Sequence, residues 1–179
     1  LTAALCSHDG GAKTLVIEKS DQFGGTSATS GGGVWIPNNR YAKAENVDDS
    51  NEDARDYINS VSPPGKIKDE LVETYLSEGP KMIDYLHENS QVKYRNLAHY
   101  PDYFPDNPGG KAGNRSMEPE PINGTKLGKG LGKLREQHPQ TAFTMGPINM
   151  NFTQVEGQLL LGALPGWKSL FAKLFTKYI

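Results

Sequence analysis

The stretch from Lys13 to Gly33 constrains the fold more than any other part of the chain. Lys13 to Glu18 (KTLVIE) is a short apolar run rich in β-branched residues, the pattern of a strand buried in a parallel sheet. Soon after its acidic end comes a run of glycines and hydroxyls, Gly24 to Gly33 (GGTSATSGGG), too rich in glycine for a regular element. Upstream, Leu1 to Ser7 (LTAALCS) reads as a helix of small and apolar residues that packs close to a sheet, stopped by Gly10 and Gly11. Helix, glycine stop and strand together form the second half of a βαβ unit, which places the chain in the α/β class. The helix opens at the first residue with no cap before it, so a chain beginning inside a larger domain is expected.

Composition narrows the function. The chain has 179 residues, 36% of them hydrophobic, with 20 glycines, enough for one domain with its own core. Its net charge of −2, from 19 Lys and Arg against 21 Asp and Glu, supplies no field for nucleic acid or an anionic membrane. Cys6 is the single cysteine, so no internal disulfide can form; it reads as a small buried helix residue. No apolar run is long enough to span a membrane, and no signal-peptide pattern opens the chain.

Further along, Ser50 to Asp53 resembles a capping box and predicts a helix to about Ser60. Apolar residues at helical spacing, Ile67, Leu71, Tyr75 and Leu76, then Met82, Ile83 and Leu86, predict two helices broken at Gly79 and Pro80. Val92 to Arg95 is a strand candidate, and from Pro101 to Pro147 proline, glycine and asparagine leave little periodicity. So long an irregular segment is expected to line a site or lie on another part of the protein. The chain closes on a helix with Trp167, Leu170, Phe171, Leu174, Phe175 and Tyr178 on one face. That face reads as a core face; a membrane-surface or calmodulin-target helix is the alternative. His8, His87, His99 and His138 fall in no motif, and Asp48, Asp49, Glu52 and Asp53 read as loop and helix-start charges, not metal ligands.

Glu18 stands where the acid of a dinucleotide fold accepts a hydrogen bond from the ribose. No Gly-x-Gly-x-x-Gly turn is present; one just before Leu1 would sit at the expected interval. The glycines after Glu18 let backbone approach a diphosphate, and their neighbouring hydroxyls can donate to it. The segment from Glu18 to Asn39 resembles the flavoprotein family of fumarate reductases and 3-ketosteroid dehydrogenases, in which a Glu-Lys pair is followed by Gly-Gly-Thr/Asn-Ser and Ser-Gly-Gly. The steroid branch is the closer match, through Ser30 to Pro37 (SGGGVWIP), Tyr100 to Phe104 (YPDYF), and Gly113 to Ser116 (GNRS), where Asn114 is extra.

The resemblance implies a partial Rossmann-like FAD-binding domain with an irregular, mostly helical insertion. Residues 1–40 would be the βαβ remnant and flavin loop, 50–90 helices, 91–165 loops near the active site, and 166–179 a helix. FAD would be held by Glu18, Lys19, Ser20, Gly24, Gly25, Thr26, Ser27, Ser30, Gly31 and Gly32. Trp35 would wall the site. Tyr103 would support a second tyrosine, which acts as base in that branch; a phenol, with a pKa near 10, needs such help at neutral pH. The implied substrate is a 3-ketosteroid or similar apolar ketone, with no nucleic-acid partner, no metal, and an electron acceptor left open. A cytoplasmic location is expected, with membrane association left open. Residues 1–179 alone are not expected to bind FAD tightly or to catalyse. The alternatives are a fumarate reductase-like flavoprotein and a non-catalytic remnant acting as an interaction module.

Overall fold

A computed structural model describes residues 1–136 and 153–178. The elements run α1 (Thr2–Asp9), α2 (Gly25–Thr29), β1 (Val34–Trp35), α3 (Arg40–Ala44), α4 (Asn51–Val61), α5 (Asp69–Asn89), β2 (Tyr94–Asn96), β3 (Ser116–Pro119), a 3-10 stretch (Gly124–Lys133), α6 (Gln154–Leu161) and α7 (Trp167–Tyr178). The strands form an antiparallel sheet in the order β1-β3-β2, with Val34 opposite Met117 and Arg95 opposite Glu118.

Two apolar clusters hold these pieces together, and α5 belongs to both. Ile83 packs with Ile36 and Met117 beneath the sheet, joined by Val34, Tyr41, Met82 and Tyr94. Val72 and Leu76, two turns earlier on the same stripe, pack with Ala54 and Ile58 of α4. The break expected at Gly79 and Pro80 does not occur, because α5 continues through Pro80. A stripe of Val72, Leu76, Gly79, Ile83 and Leu86 is buried along its length, and that tertiary packing outweighs the cost of an internal proline, about 3 kcal/mol.

The helix over residues 51–61 starts as expected, with Ser50 Oγ accepting from Asp53 N at 3.0 Å. The strand expected near residue 92 forms as Tyr94–Asn96. The strand expected over residues 13–18 does not form. Leu15, Val16 and Ile17 are 83%, 59% and 85% exposed, and Cys6, expected to be buried, is exposed too. A parallel strand needs pairing on its edges and cover on its faces, and the described residues supply neither. Parallel pairing among them comes down to one bridge, Phe23 to Leu134. The Rossmann-like βαβ arrangement is therefore not formed by the described residues.

The irregular stretch after Pro101 contains two elements the sequence pattern did not show, β3 and the 3-10 stretch; residues 137–147, His138 included, lie outside the described residues. On α7, Leu174 is buried while Phe171 and Phe175 stack with centroids 6.2 Å apart and stay partly exposed. The side chains of Lys177 and Tyr178 lie outside the described residues. Among the described residues no helix is long and apolar enough to cross a membrane.

Candidate active site

The glycine and serine segment turns twice where only glycine turns freely. Gly24 (φ +113°) caps α2, and a Cβ there would come within 2.5 Å of Ala28 Cβ. Gly32 (φ +69°) would drive a Cβ to 2.9 Å from Pro119. Both positions require glycine for conformation and for space. Between them Ser30 Oγ donates to Ser27 O at 3.1 Å and accepts from Gly32 N at 3.1 Å, which shapes the exit into β1. Thr26, Ser27, Ser30 and Gly31 face solvent, and Gly25 is half-buried.

Glu18 and Lys19 are exposed, and Glu18 Oε1 accepts from Ser20 N at 2.9 Å. The structure adds a cation here that the sequence reading missed. Phe23 N donates to Lys133 O and Arg135 N to Phe23 O, both at 2.9 Å, so Arg135 is delivered beside the glycine segment. Its Nη2 reaches Ser20 Oγ at 3.5 Å, while its buried Nε has no partner among the described residues. An exposed acid, exposed hydroxyls, a tight glycine cradle and an arginine with an unused N–H fit a phosphorylated dinucleotide such as FAD.

From Gly32 the chain leads straight into the wall of a cavity of about 430 Å³. Gly33 to Trp35 form one side, Tyr57, Ile58 and Val61 of α4 another, and Leu97 with Tyr100 to Phe104 the rim. Its volume lies in the range of small-molecule sites, roughly 300–1,000 Å³. Among the described residues the only charged side chain lining it is that of Asp102. Tyr103 is 84% exposed, and its hydroxyl has no hydrogen-bond partner among the described residues. Tyr75 stacks on Trp35 with centroids 6.3 Å apart and donates its hydroxyl to Trp35 O; burial pushes its phenol up.

Behind the cavity lies a buried ionic cluster. Arg115 donates from Nη2 to Asp49 Oδ1 at 2.8 Å and from Nη1 to Asp102 Oδ2 at 2.9 Å. The three side chains are 1%, 4% and 2% exposed. Asp49 also accepts from Asn38 N and Ser50 N, and Asp102 from Lys111 N and Trp35 Nε1. The Arg115 guanidinium sits over the rings of Trp35 and Tyr57 at 5.6 and 5.8 Å. Asp49, read from the sequence as a loop charge, is thus a buried ion-pair partner. Its neighbour Asp53 pairs with Lys111 at 2.9 Å, which holds its carboxyl below the usual range.

Asn39 was also missed. It is fully buried, caps α3 with its Oδ1, and donates from Nδ2 to Ile36 O and Asn114 O. The Ser30 to Asn39 and Gly113 to Ser116 segments, far apart in sequence, therefore meet, whereas Glu18 to Ser20 stand apart from the cavity, at the far end of the glycine segment.

A family model described as an FAD binding domain matches residues 1–163. The chain is 36% identical over 155 residues to a 3-oxosteroid 1-dehydrogenase of Mycolicibacterium smegmatis, covering 87% of this chain and 27% of that protein. It is 34% identical over 145 residues to a 4-oxocyclohexanecarboxylate 2-dehydrogenase of Sinomonas cyclohexanicum, covering 81% and 25%. The crystal structure of the 3-ketosteroid delta1-dehydrogenase from Sterolibacterium denitrificans with 1,4-androstadiene-3,17-dione superposes with a TM-score of 0.87 at 36% identity, over 99% of this chain and 30% of that one. The chain thus spans about a quarter of the curated relatives' length. A glycine cradle opening onto an apolar cavity, matched along 163 residues, places this chain in the FAD-binding domain family of flavoproteins.

Proposed function

We propose that the protein is an FAD-dependent dehydrogenase that removes two hydrogens from adjacent carbons of a flat cyclic ketone, a 3-ketosteroid by preference. The observation that carries this reading is the continuity of the Gly24 to Gly32 segment with the wall of an apolar cavity bearing Tyr103 on its rim. Glu18 takes the adenosine ribose, Lys19, Ser20 and Arg135 the neighbouring polar groups, and Gly24, Gly25, Thr26 and Ser27 the diphosphate and flavin edge. Ser30, Gly31 and Gly32 line the flavin ring. When bound, FAD supplies the hydride acceptor. Tyr103 stands in the path of the proton, relaying it with a second tyrosine from the rest of the protein, so that one proton and one hydride leave the substrate and a carbon–carbon double bond remains. Trp35, Tyr57 and Leu97 exclude water from the ketone.

The cavity favours a steroid over a ring carrying a carboxylate. No cationic side chain lines it among the described residues to pair with a carboxylate, and the nearby Arg115 guanidinium is already committed to Asp49 and Asp102. The test uses the full-length protein under anaerobic conditions, mixed with a 3-ketosteroid saturated at C1–C2 or with 4-oxocyclohexanecarboxylate. The expected result is a yellow protein whose flavin spectrum bleaches with the steroid. Bleaching by the monocyclic acid alone refutes the substrate assignment, robust fumarate reduction moves the protein to the sister branch, and a colourless protein indifferent to added FAD refutes the whole reading.

A further inference from the structure

Asp102 and Tyr103 are consecutive, so whatever fixes the first places the second. Asp102 is held from four directions. Its N–H donates to Lys111 O at 2.9 Å, and its carboxylate accepts from Lys111 N at 3.0 Å, Trp35 Nε1 at 2.7 Å and Arg115 Nη1 at 2.9 Å. Pro101 restricts the backbone just before it. Tyr103 itself is 84% exposed and makes no hydrogen bond among the described residues, so its own side chain does not anchor it.

We propose that the buried Arg115, Asp102 and Trp35 act together as a positioning device, setting the Tyr103 phenol at a defined distance from the flavin segment. This rests on the reading of Tyr103 as a proton relay. The connection runs through Trp35, whose backbone continues the Ser30 to Gly33 segment and whose Nε1 is bonded to the residue before Tyr103. The indole cannot swing: Tyr75 stacks on one side and the Arg115 guanidinium lies over the ring. Arg115 is in turn fixed by Asp49 through both Nε and Nη2. Apolar contacts of the same size would fill this space equally well, but they would not fix direction. Hydrogen bonds between charged and aromatic groups do.

Two variants of the full-length protein test this, with single-turnover flavin reduction by a 3-ketosteroid, KM, bound FAD and Tm measured on each. Trp35→Phe removes the N–H and keeps a ring; replacing the Trp35 indole by benzothiophene removes only the N–H at nearly constant shape. Both should reduce flavin about 10–100-fold more slowly at saturating steroid, with bound FAD unchanged. The benzothiophene variant, whose ring keeps the shape of the cavity wall, should also keep its KM, because the tyrosine is misplaced without any loss of binding, whereas the smaller Trp35→Phe ring also alters the wall and its KM. Tyr103→Phe serves as the reference for complete loss of the relay. A benzothiophene variant that reduces flavin at the unmodified rate, while Tyr103→Phe does not, overturns the positioning role and leaves the tyrosine's role standing. A rate that falls only in proportion to lost FAD also overturns it, as a packing effect. If Tyr103→Phe itself keeps the full rate, the catalytic reading fails first and the positioning role fails with it.

Discussion

Pro80 offers a direct measure of how far tertiary packing overrides local preference in α5. It sits inside the helix with no N–H to give Leu76 O, between the buried Gly79 and the exposed Lys81. In a helix interior proline is about 3 kcal/mol worse than alanine. Pro80→Ala also returns freedom to the unfolded chain, which offsets about 0.4–1 kcal/mol of that gain. The net expectation is a protein about 2 kcal/mol more stable. For a domain of this size, 1 kcal/mol moves Tm by roughly 2–4 °C, so the variant should melt about 4–8 °C higher. Thermal unfolding followed by far-UV circular dichroism reads this directly, and slower amide exchange in the turn after Gly79 would locate it. The gain requires Gly79 to stay seated against Ile36, where a Cβ would lie only 3.3 Å from Ile36 Cδ1. An unchanged or lower Tm would refute it, and would mean that the proline ring maintains a bend that the contact with Ile36 requires.

Three further outcomes follow from the same geometry. Arg115→Met leaves Asp49 and Asp102 buried without a cation; each keeps other donors, so the cost falls toward the lower end of about 3–5 kcal/mol, measurable by denaturant titration. Asn114 holds a left-handed conformation (φ +70°) with its Oδ1 buried and without a partner among the described residues, so Asn114→Gly should stabilise by about 1 kcal/mol and raise Tm. Burial pushes the phenols of Tyr75 and Tyr94 up, so the stability they contribute is complete below the usual tyrosine pKa of about 10 and is lost as pH rises through their raised values. A pH series of melting curves should therefore fall on the alkaline side, and Tyr75→Phe should flatten that limb.

What could be read from the sequence was local. The Ser50 cap and the stop at Gly10 depend on a few neighbouring residues, and each appears where the sequence pattern places it. Lys13 to Glu18 shows the limit of such signals. Its composition is that of a buried strand, yet burial and pairing are supplied by other segments, and without them the same residues lie exposed and outside any regular element. The continuous α5 fails in the opposite direction: Gly79 and Pro80 signal a break, but a buried stripe on both sides of them joins the two halves.

The same distinction explains why the family motifs could be recognised while their geometry could not. Ser30 to Pro37, Tyr100 to Phe104 and Gly113 to Ser116 look like three separate segments. In the structure they are one object, because Arg115 bonds to Asp102, Asp102 to Trp35, and Asn39 to the Asn114 carbonyl. No periodicity marks a buried aspartate that meets its arginine 66 residues away. Charged residues there would ordinarily signal a surface, and only the closed set of hydrogen bonds makes burial tolerable. Such a set has directions as well as strength, and that is what an exposed tyrosine on an irregular loop otherwise lacks.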